Sequence, residues 1–174
     1  ALAAGATAEE VIDVLITIVA QANHALYFSI PILEEELAAA GLNDTVGTGP
    51  DPDYESARQA FIAARGFWNT DRDAIARLIP DYYKALDNVS TESWNNGPLS
   101  AKERAFVCIG IDSTVTHNYE PGLRRHIRNA LSHGATRDEI LEVLQLTGVI
   151  GLEGYILGAR ILFGHPVRHT TDSE

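Results

Sequence analysis

The sequence predicts an all-α fold, and three observations carry that reading. Three stretches, TAEE from Thr7, SAKE from Ser100 and TRDE from Thr136, are capping boxes. In each, a hydroxyl accepts from the backbone three residues on, and the glutamate there reaches back to the first residue. Between these starts and a series of glycine and proline breaks, apolar residues recur at i, i+3 and i+4, the spacing of one helix face. Finally, ALAAGATAEEVIDVL from Ala1 returns as ALSHGATRDEILEVL from Ala130, at a constant offset of 129 residues. The expected architecture is therefore a helical bundle with an internal duplication. Its parts are a partial first repeat over 1–41, a linker and helical pair over 42–97, and a full repeat over 98–174.

The 174 residues suit one domain, or one domain plus a helical extension. The net charge is −11 and no basic run exceeds Arg124-Arg125, so nucleic acid and anionic membrane are not expected partners. Asp13, Asn23, His24, Asp112 and Glu153 interrupt the apolar stretches, so none is expected to cross a bilayer. Cys108, the one cysteine, lies in AFVCIGI and reads as a small core residue. It has no resolving partner within the chain. The chain opens on alanine and contains no methionine, which suggests sequence preceding Ala1 and a truncated first copy. A cytoplasmic protein is expected.

The first helix should start at the Thr7 cap and run as VIDVLITIVAQANHALYFSI, apolar nearly all round and so buried on most faces. His24 interrupts it, Pro31 is a point of kinking or restart, and Gly41 stops ILEEELAAAGL. From Leu42 to Ser56, glycine and proline breaks predict a loop. Two helices follow. One carries Ala57, Phe61, Ile62 and Arg65 on a stripe, and the other carries Ile75, Leu78, Ile79, Tyr82 and Leu86, with Pro80 a possible break. The polar run STESWNNGP closes this middle region, which reads as packing helices without chemistry. The helix capped by Ser100 should continue through DSTVTH, with Phe106, Ile109, Gly110, Ser113 and His117 on one stripe. Asp112 falls mid-helix among apolar neighbours, where a carboxylate needs a partner. Pro121 opens the next helix, with Leu123, Ile127, Ala130 and Leu131 as its core stripe, and Gly134 ends it. The last helix, EILEVLQLTGVIGLEGYILGARIL, is again apolar nearly all round. Glu153 breaks it at the repeat position of His24, and the tail HPVRHTTDSE should fray.

Chemistry concentrates in THNYEPGLRRHIRNALSHGATRDEILEVL, from Thr116 to Leu144. Together with LSAKERAFV upstream, the combined pattern H-x-x-x-A-L-x-x-G-A-T-x-x-E-I resembles the carboxymuconolactone decarboxylase family, which includes the alkylhydroperoxidase D-like proteins. The match covers roughly Pro98 to Leu162, with the N-terminal GAT segment similar to an incomplete second copy. The resemblance implies an all-helical fold, trimers or hexamers, and small-molecule sites between helices. Alkylhydroperoxidase D-like members carry C-x-x-C before the histidine. Here those positions are Tyr119 and Gly122, so dithiol chemistry is not expected. The decarboxylase branch keeps the histidine, which maps onto His126, and commonly has a glutamate where this chain has Gly122.

The resemblance makes His126 the main proton-transfer group, against the plain alternative of a hydrogen-bonded helix-face histidine. An imidazole titrating near neutrality can move a proton without a cofactor. His117 is the candidate partner acid or base. Tyr119 either steadies an oxyanion or packs in the turn, and Arg125 either holds a substrate carboxylate or is solvated. His24, Asp112 and Glu153 are ionisable groups in apolar helices, each a paired structural residue or part of a pocket. His24, His117, His126 and Glu153 would also suit zinc or iron, but no H-E-x-x-H spacing supports it, and neither metal nor cofactor is expected. The resulting expectation is an oligomeric, cofactor-independent lyase or isomerase acting on a small oxygenated acid or lactone. The alternatives are a metal-assisted enzyme, or a ligand-binding or assembly module that kept the fold without its chemistry.

Overall fold

The computed structural model describes residues 1–42 and 52–164, and among them every regular element is helical. Most of the predicted loop between Leu42 and Ser56, and the tail expected to fray, lie outside the described residues. The helices are α1 (Ala8–Ala20), α2 (His24–Ala39), α3 (Tyr54–Arg65), α4 (Asp71–Leu78), α5 (Pro80–Asn96), α6 (Ala101–Asp112), α7 (Glu120–Ser132) and α8 (Arg137–Leu162). All three capping boxes form, at Thr7, Ser100 and Thr136. Gly5 and Gly134, the matched glycines of the repeat, both take left-handed backbone, at φ 97° and 83°. The two matched segments then part company. α1 gives way to a 3-10 turn over Gln21–Asn23, whereas α8 runs on unbroken.

Several boundaries move for local reasons. Pro80 forces Ile79 out of helical backbone, to φ −140° and ψ 65°, and so separates α4 from α5. α5 then continues through STESWNN, the polar run expected to close the middle region. Pro31 sits inside α2 without ending it. α6 stops at Asp112 instead of reaching His117. The Ser113 and Thr114 hydroxyls bond back to the Ile109 and Ile111 carbonyls, competing with helix propagation. Asn118 then takes left-handed backbone at φ 40°, and the Tyr119 N–H returns to the Asp112 carbonyl at 3.0 Å. His117 is therefore delivered by a turn.

Two apolar clusters hold the bundle. Ala105, Ile109, Ala130, Ala135 and Ile140 join α6 and α7 to the first turns of α8. Tyr27, Ile30, Ile75, Ala76 and Tyr83 join α2, α4 and α5. Cys108 is wholly buried, with Sγ accepting from Gln21 Nε2 at 2.9 Å. Burial, then the nearby Asp112 carboxylate, pushes its thiol up to about 12, as an inert core residue requires. A buried ion pair ties α1 to α6: Arg104 donates to both Asp13 carboxylate oxygens at 2.7 and 2.8 Å, and also to Thr17 and the Leu99 carbonyl.

The expectation that the first and last helices are buried on most faces fails within one chain. α8 buries only Ile140, while Leu146, Ile150, Tyr155, Ile161 and Leu162 are more than half exposed. α1 likewise exposes Ile12, Leu15 and Val19, and Leu131 of α7 is not in the core. The polar interruptions also count for less than expected. By length and a mean hydropathy of 1.5, residues 8–39 and 137–162 would suffice to cross a bilayer, a test that core helices of soluble proteins pass as well.

Candidate active site

The bundle brings together His24, the first residue of α2; Asp112, the last of α6; His117, from the turn; and His126, at the middle of α7. His24 Nδ1 lies 2.8 Å from His117 Nε2 and 3.0 Å from Asp112 Oδ1. His117 Nε2 is 3.5 Å from the same oxygen, and His126 Nε2 is 3.8 Å from Asp112 Oδ2. The Asp112 carboxylate is fully buried, and neither of its oxygens makes a hydrogen bond of good geometry. Tyr119 stacks on His24 with ring centroids 4.2 Å apart, which fixes the imidazole plane. Burial, and then the Asp71 carboxylate, pushes the Tyr119 phenol up to about 12.

Gly122 is what lets α7 approach this carboxylate. A Cβ there would meet Asp112 Oδ2 at 2.5 Å and Tyr119 Cδ1 at 2.6 Å. The place where the family commonly has a glutamate is thus filled from the other side by Asp112.

His126 faces a cavity of about 30 Å³, room for one or two waters, whose wall also includes His24, Tyr27, Arg65, Arg72 and Arg125. The wall is donor-rich and cationic. Arg65 has Nε and Nη2 buried without a hydrogen-bond partner, and His126 Nδ1 is likewise unpartnered. Arg65 is held between the Phe61 and Trp94 rings, at 4.5 and 4.7 Å, and Arg125 stacks over Phe67 at 4.6 Å. Arg72 is engaged by Tyr27 and Asp87. Burial, then the charges of His24, Arg125 and Arg65, pushes His126 down to about 3, so it is neutral at physiological pH rather than titrating near neutrality. His117 is also lowered, by burial and then by His24. Burial, then the charge of Arg72, brings the Arg65 guanidinium down to about 9. A larger groove of about 380 Å³ between α1 and α5 is lined by Glu9, Asp13 and Glu92, with no histidine or arginine on its wall.

Among the sequence candidates, the structure thus gathers His24, Asp112, His117, Tyr119, Arg125 and His126. It does not gather Glu153, which is exposed on α8 and leaves Asp112 as the cluster's carboxylate. The middle region, expected to carry no chemistry, supplies Arg65 and Arg72. The signal was present: Arg65 stood on the apolar stripe of its helix, where a guanidinium is out of place unless it serves a pocket.

Residues 80–153 match the model of the carboxymuconolactone decarboxylase family. The chain is also similar to the crystal structure of a candidate gamma-carboxymuconolactone decarboxylase subunit from Burkholderia xenovorans LB400. The two are 36% identical, with a TM-score of 0.81 over 94% of this chain. This chain spans 65% of that neighbour's length. Among curated proteins, none matches it. The segment matched by the family model contains Asp112, His117, Tyr119, Arg125 and His126, whereas His24, Arg65 and Arg72 come from outside it.

Proposed function

This chain belongs to the carboxymuconolactone decarboxylase family, and from that premise we propose that it is a lyase- or isomerase-type enzyme moving a proton on a small oxygenated organic acid or lactone. The observation that carries this reading is the pairing of unpartnered groups in one cavity wall. The free N–H groups of Arg65 suit a substrate carboxylate and the free Nδ1 of neutral His126 suits a proton in flight, and because the cavity has room for only one or two waters, a lactone acid reaches them by displacing part of the wall. An anion beside His126 offsets the cationic wall that depresses its basicity, so substrate binding itself raises the imidazole toward a useful range. In decarboxylation, the C–C bond to the departing CO2 breaks and its electron pair moves onto the conjugated lactone oxygen. The imidazole, having taken a proton from solvent when the anion bound, donates it to carbon, so that one carboxylate and one solvent proton give CO2 and the new C–H bond. In isomerisation, Nδ1 takes a proton from one carbon and returns it to another. His117, with His24 and Asp112 behind it, is the second proton-handling group.

The test is turnover of carboxymuconolactone and related lactone acids, followed by CO2 release and product absorbance. His126→Gln should lower kcat by about 10²- to 10⁴-fold with the assembly intact, and Arg65→Met should act mainly on KM. Full activity in His126→Gln would remove that residue from the mechanism. Saturable binding without turnover would identify a ligand-binding module instead.

The exposed apolar faces of α1 and α8 support a further element of the proposal, assembly with other copies of this chain. Contiguous apolar surface of this extent is normally covered. Light scattering behind size exclusion should give a mass several times the 18.9 kDa of one chain, and Ile150→Glu with Leu146→Lys should shift it downward. A monomer at micromolar concentration would overturn the assembly, and partition into lipid vesicles would assign those faces to a membrane.

A further inference from the structure

We propose that His24, Asp112 and His117 form a binding site for one divalent transition-metal ion of the zinc type. The three donor atoms come from three separate elements and converge on one point. Their mutual distances are 2.8, 3.0 and 3.5 Å. Donors about 2.0 to 2.1 Å from a tetrahedral zinc lie about 3.3 Å from one another, so the triangle is already of the right size. His24, Asp112 and His117 form a potential metal-holding group among the described residues.

Hydrogen bonding alone leaves this cluster poorly satisfied. Asp112 is 0% exposed, and both its oxygens lack a hydrogen bond although two imidazole nitrogens stand within 3.5 Å of Oδ1. The two imidazole nitrogens are within hydrogen-bond distance of each other at 2.8 Å, and the carboxylate is left without a bond. A buried carboxylate in that state is costly, and a cation at the centre would satisfy it and both imidazoles at once. Two imidazoles and one carboxylate suit zinc or ferrous iron, and fit magnesium or calcium poorly.

The surroundings are those of a supported ligand set. Tyr119 fixes the His24 ring, and Gly122 opens the space that the Asp112 carboxylate occupies. Three protein ligands leave coordination open, as catalytic sites do. His24 also lines the cavity shared by His126 and Arg65, so an ion here would stand next to the proposed substrate. The proposal leaves the roles of His126 and Arg65 untouched but takes His117 out of proton handling whenever an ion is bound, because a ligating Nε2 carries no proton, and the two readings fail separately.

The experiment uses the untagged chain, stripped with a chelator and titrated with Zn²⁺ by calorimetry and with Co²⁺ by visible absorption. One ion per chain is expected, with the intense d–d bands of a low-coordinate cobalt site. His117→Ala, in a half-buried turn, should fold normally and weaken binding at least about 100-fold. Asp112→Asn should do the same, with thermal melting as the check that it is folded. Replacing the exposed His133, or His165 and His169 of the tail, should change nothing. Absence of stoichiometric binding, equal affinity in His117→Ala, or affinity lost with the tail histidines would each overturn the site. Turnover by the metal-stripped protein would leave the proton chemistry standing and is not the readout.

Discussion

Replacing Arg104 with methionine should cost about 3–5 kcal/mol of folding stability, the scale for breaking one partner out of a buried ion pair. Arg104 is 2% exposed and donates to Asp13, Thr17 and the Leu99 carbonyl. Removing it strands the Asp13 carboxylate, itself 2% exposed, with one remaining bond from the Leu99 N–H at 3.0 Å. Burial alone would raise Asp13. The hydrogen bonds from Arg104 and Leu99, with the guanidinium charge, hold it below the ordinary carboxylate value. Losing so much from a total of about 5–15 kcal/mol would leave a marginal domain. Urea unfolding measures it. Adding Asp13→Val should recover most of the loss, because an apolar pair has no unpaired charge to bury. A cost under about 1 kcal/mol for the single change would put the pair in the class of solvent-screened surface bridges.

That ion pair was not legible in the sequence, although both residues were in view. Asp13 could be recognised only as an interruption of an apolar helix, and Arg104 only as part of a capped helix start. Their meeting depends on how α1 packs against α6, which no local pattern states. Local signals, by contrast, were read well. Each capping box forms because its partners lie three residues apart, and left-handed Gly5 and Gly134 fall where the repeat put them. The errors came where local rules compete. The run STESWNN is polar, yet it is helical and buries Ser90 and Ser93 within α5. The stripe toward His117 was drawn on a helix that stops at Asp112, cut short by hydroxyls bonding back to its own carbonyls. Periodicity also cannot tell what covers an apolar face, and within this chain most of the α8 face is exposed.

The site was half legible for the same reason. His126, His117, Asp112, Tyr119 and Arg125 lie close together in sequence and announced themselves by density. His24 was identified by its place in an apolar helix, but the repeat pointed it toward Glu153, which faces outward. The guanidinium of Arg65 arrives from a helix with no other chemistry. In physical terms, the matched segment supplies Asp112, His117, Arg125 and His126, and the preceding helices supply His24, Arg65 and Arg72.

Gly122→Glu should destabilise the chain by about 3 kcal/mol or more, combining overpacking with two carboxylates forced into one buried site. A Cβ alone would stand 2.5 Å from Asp112 Oδ2 and 3.0 Å from its Cγ. The atoms met belong to the Asp112 and Tyr119 side chains, and Asp112 is fully buried, so relief requires repacking of the histidine cluster itself. If Asp112 occupies the place of the glutamate common in the family, the two are alternatives. Pairing Gly122→Glu with Asp112→Ala should then restore most of the lost stability, since one carboxylate is delivered to the histidines from α7 in place of α6. Denaturant midpoints of the two single variants and the double variant measure the coupling. Simple additivity of the two single costs would mean that the carboxylates do not compete for one place, and Gly122 would then be a packing glycine with no bearing on the histidine cluster.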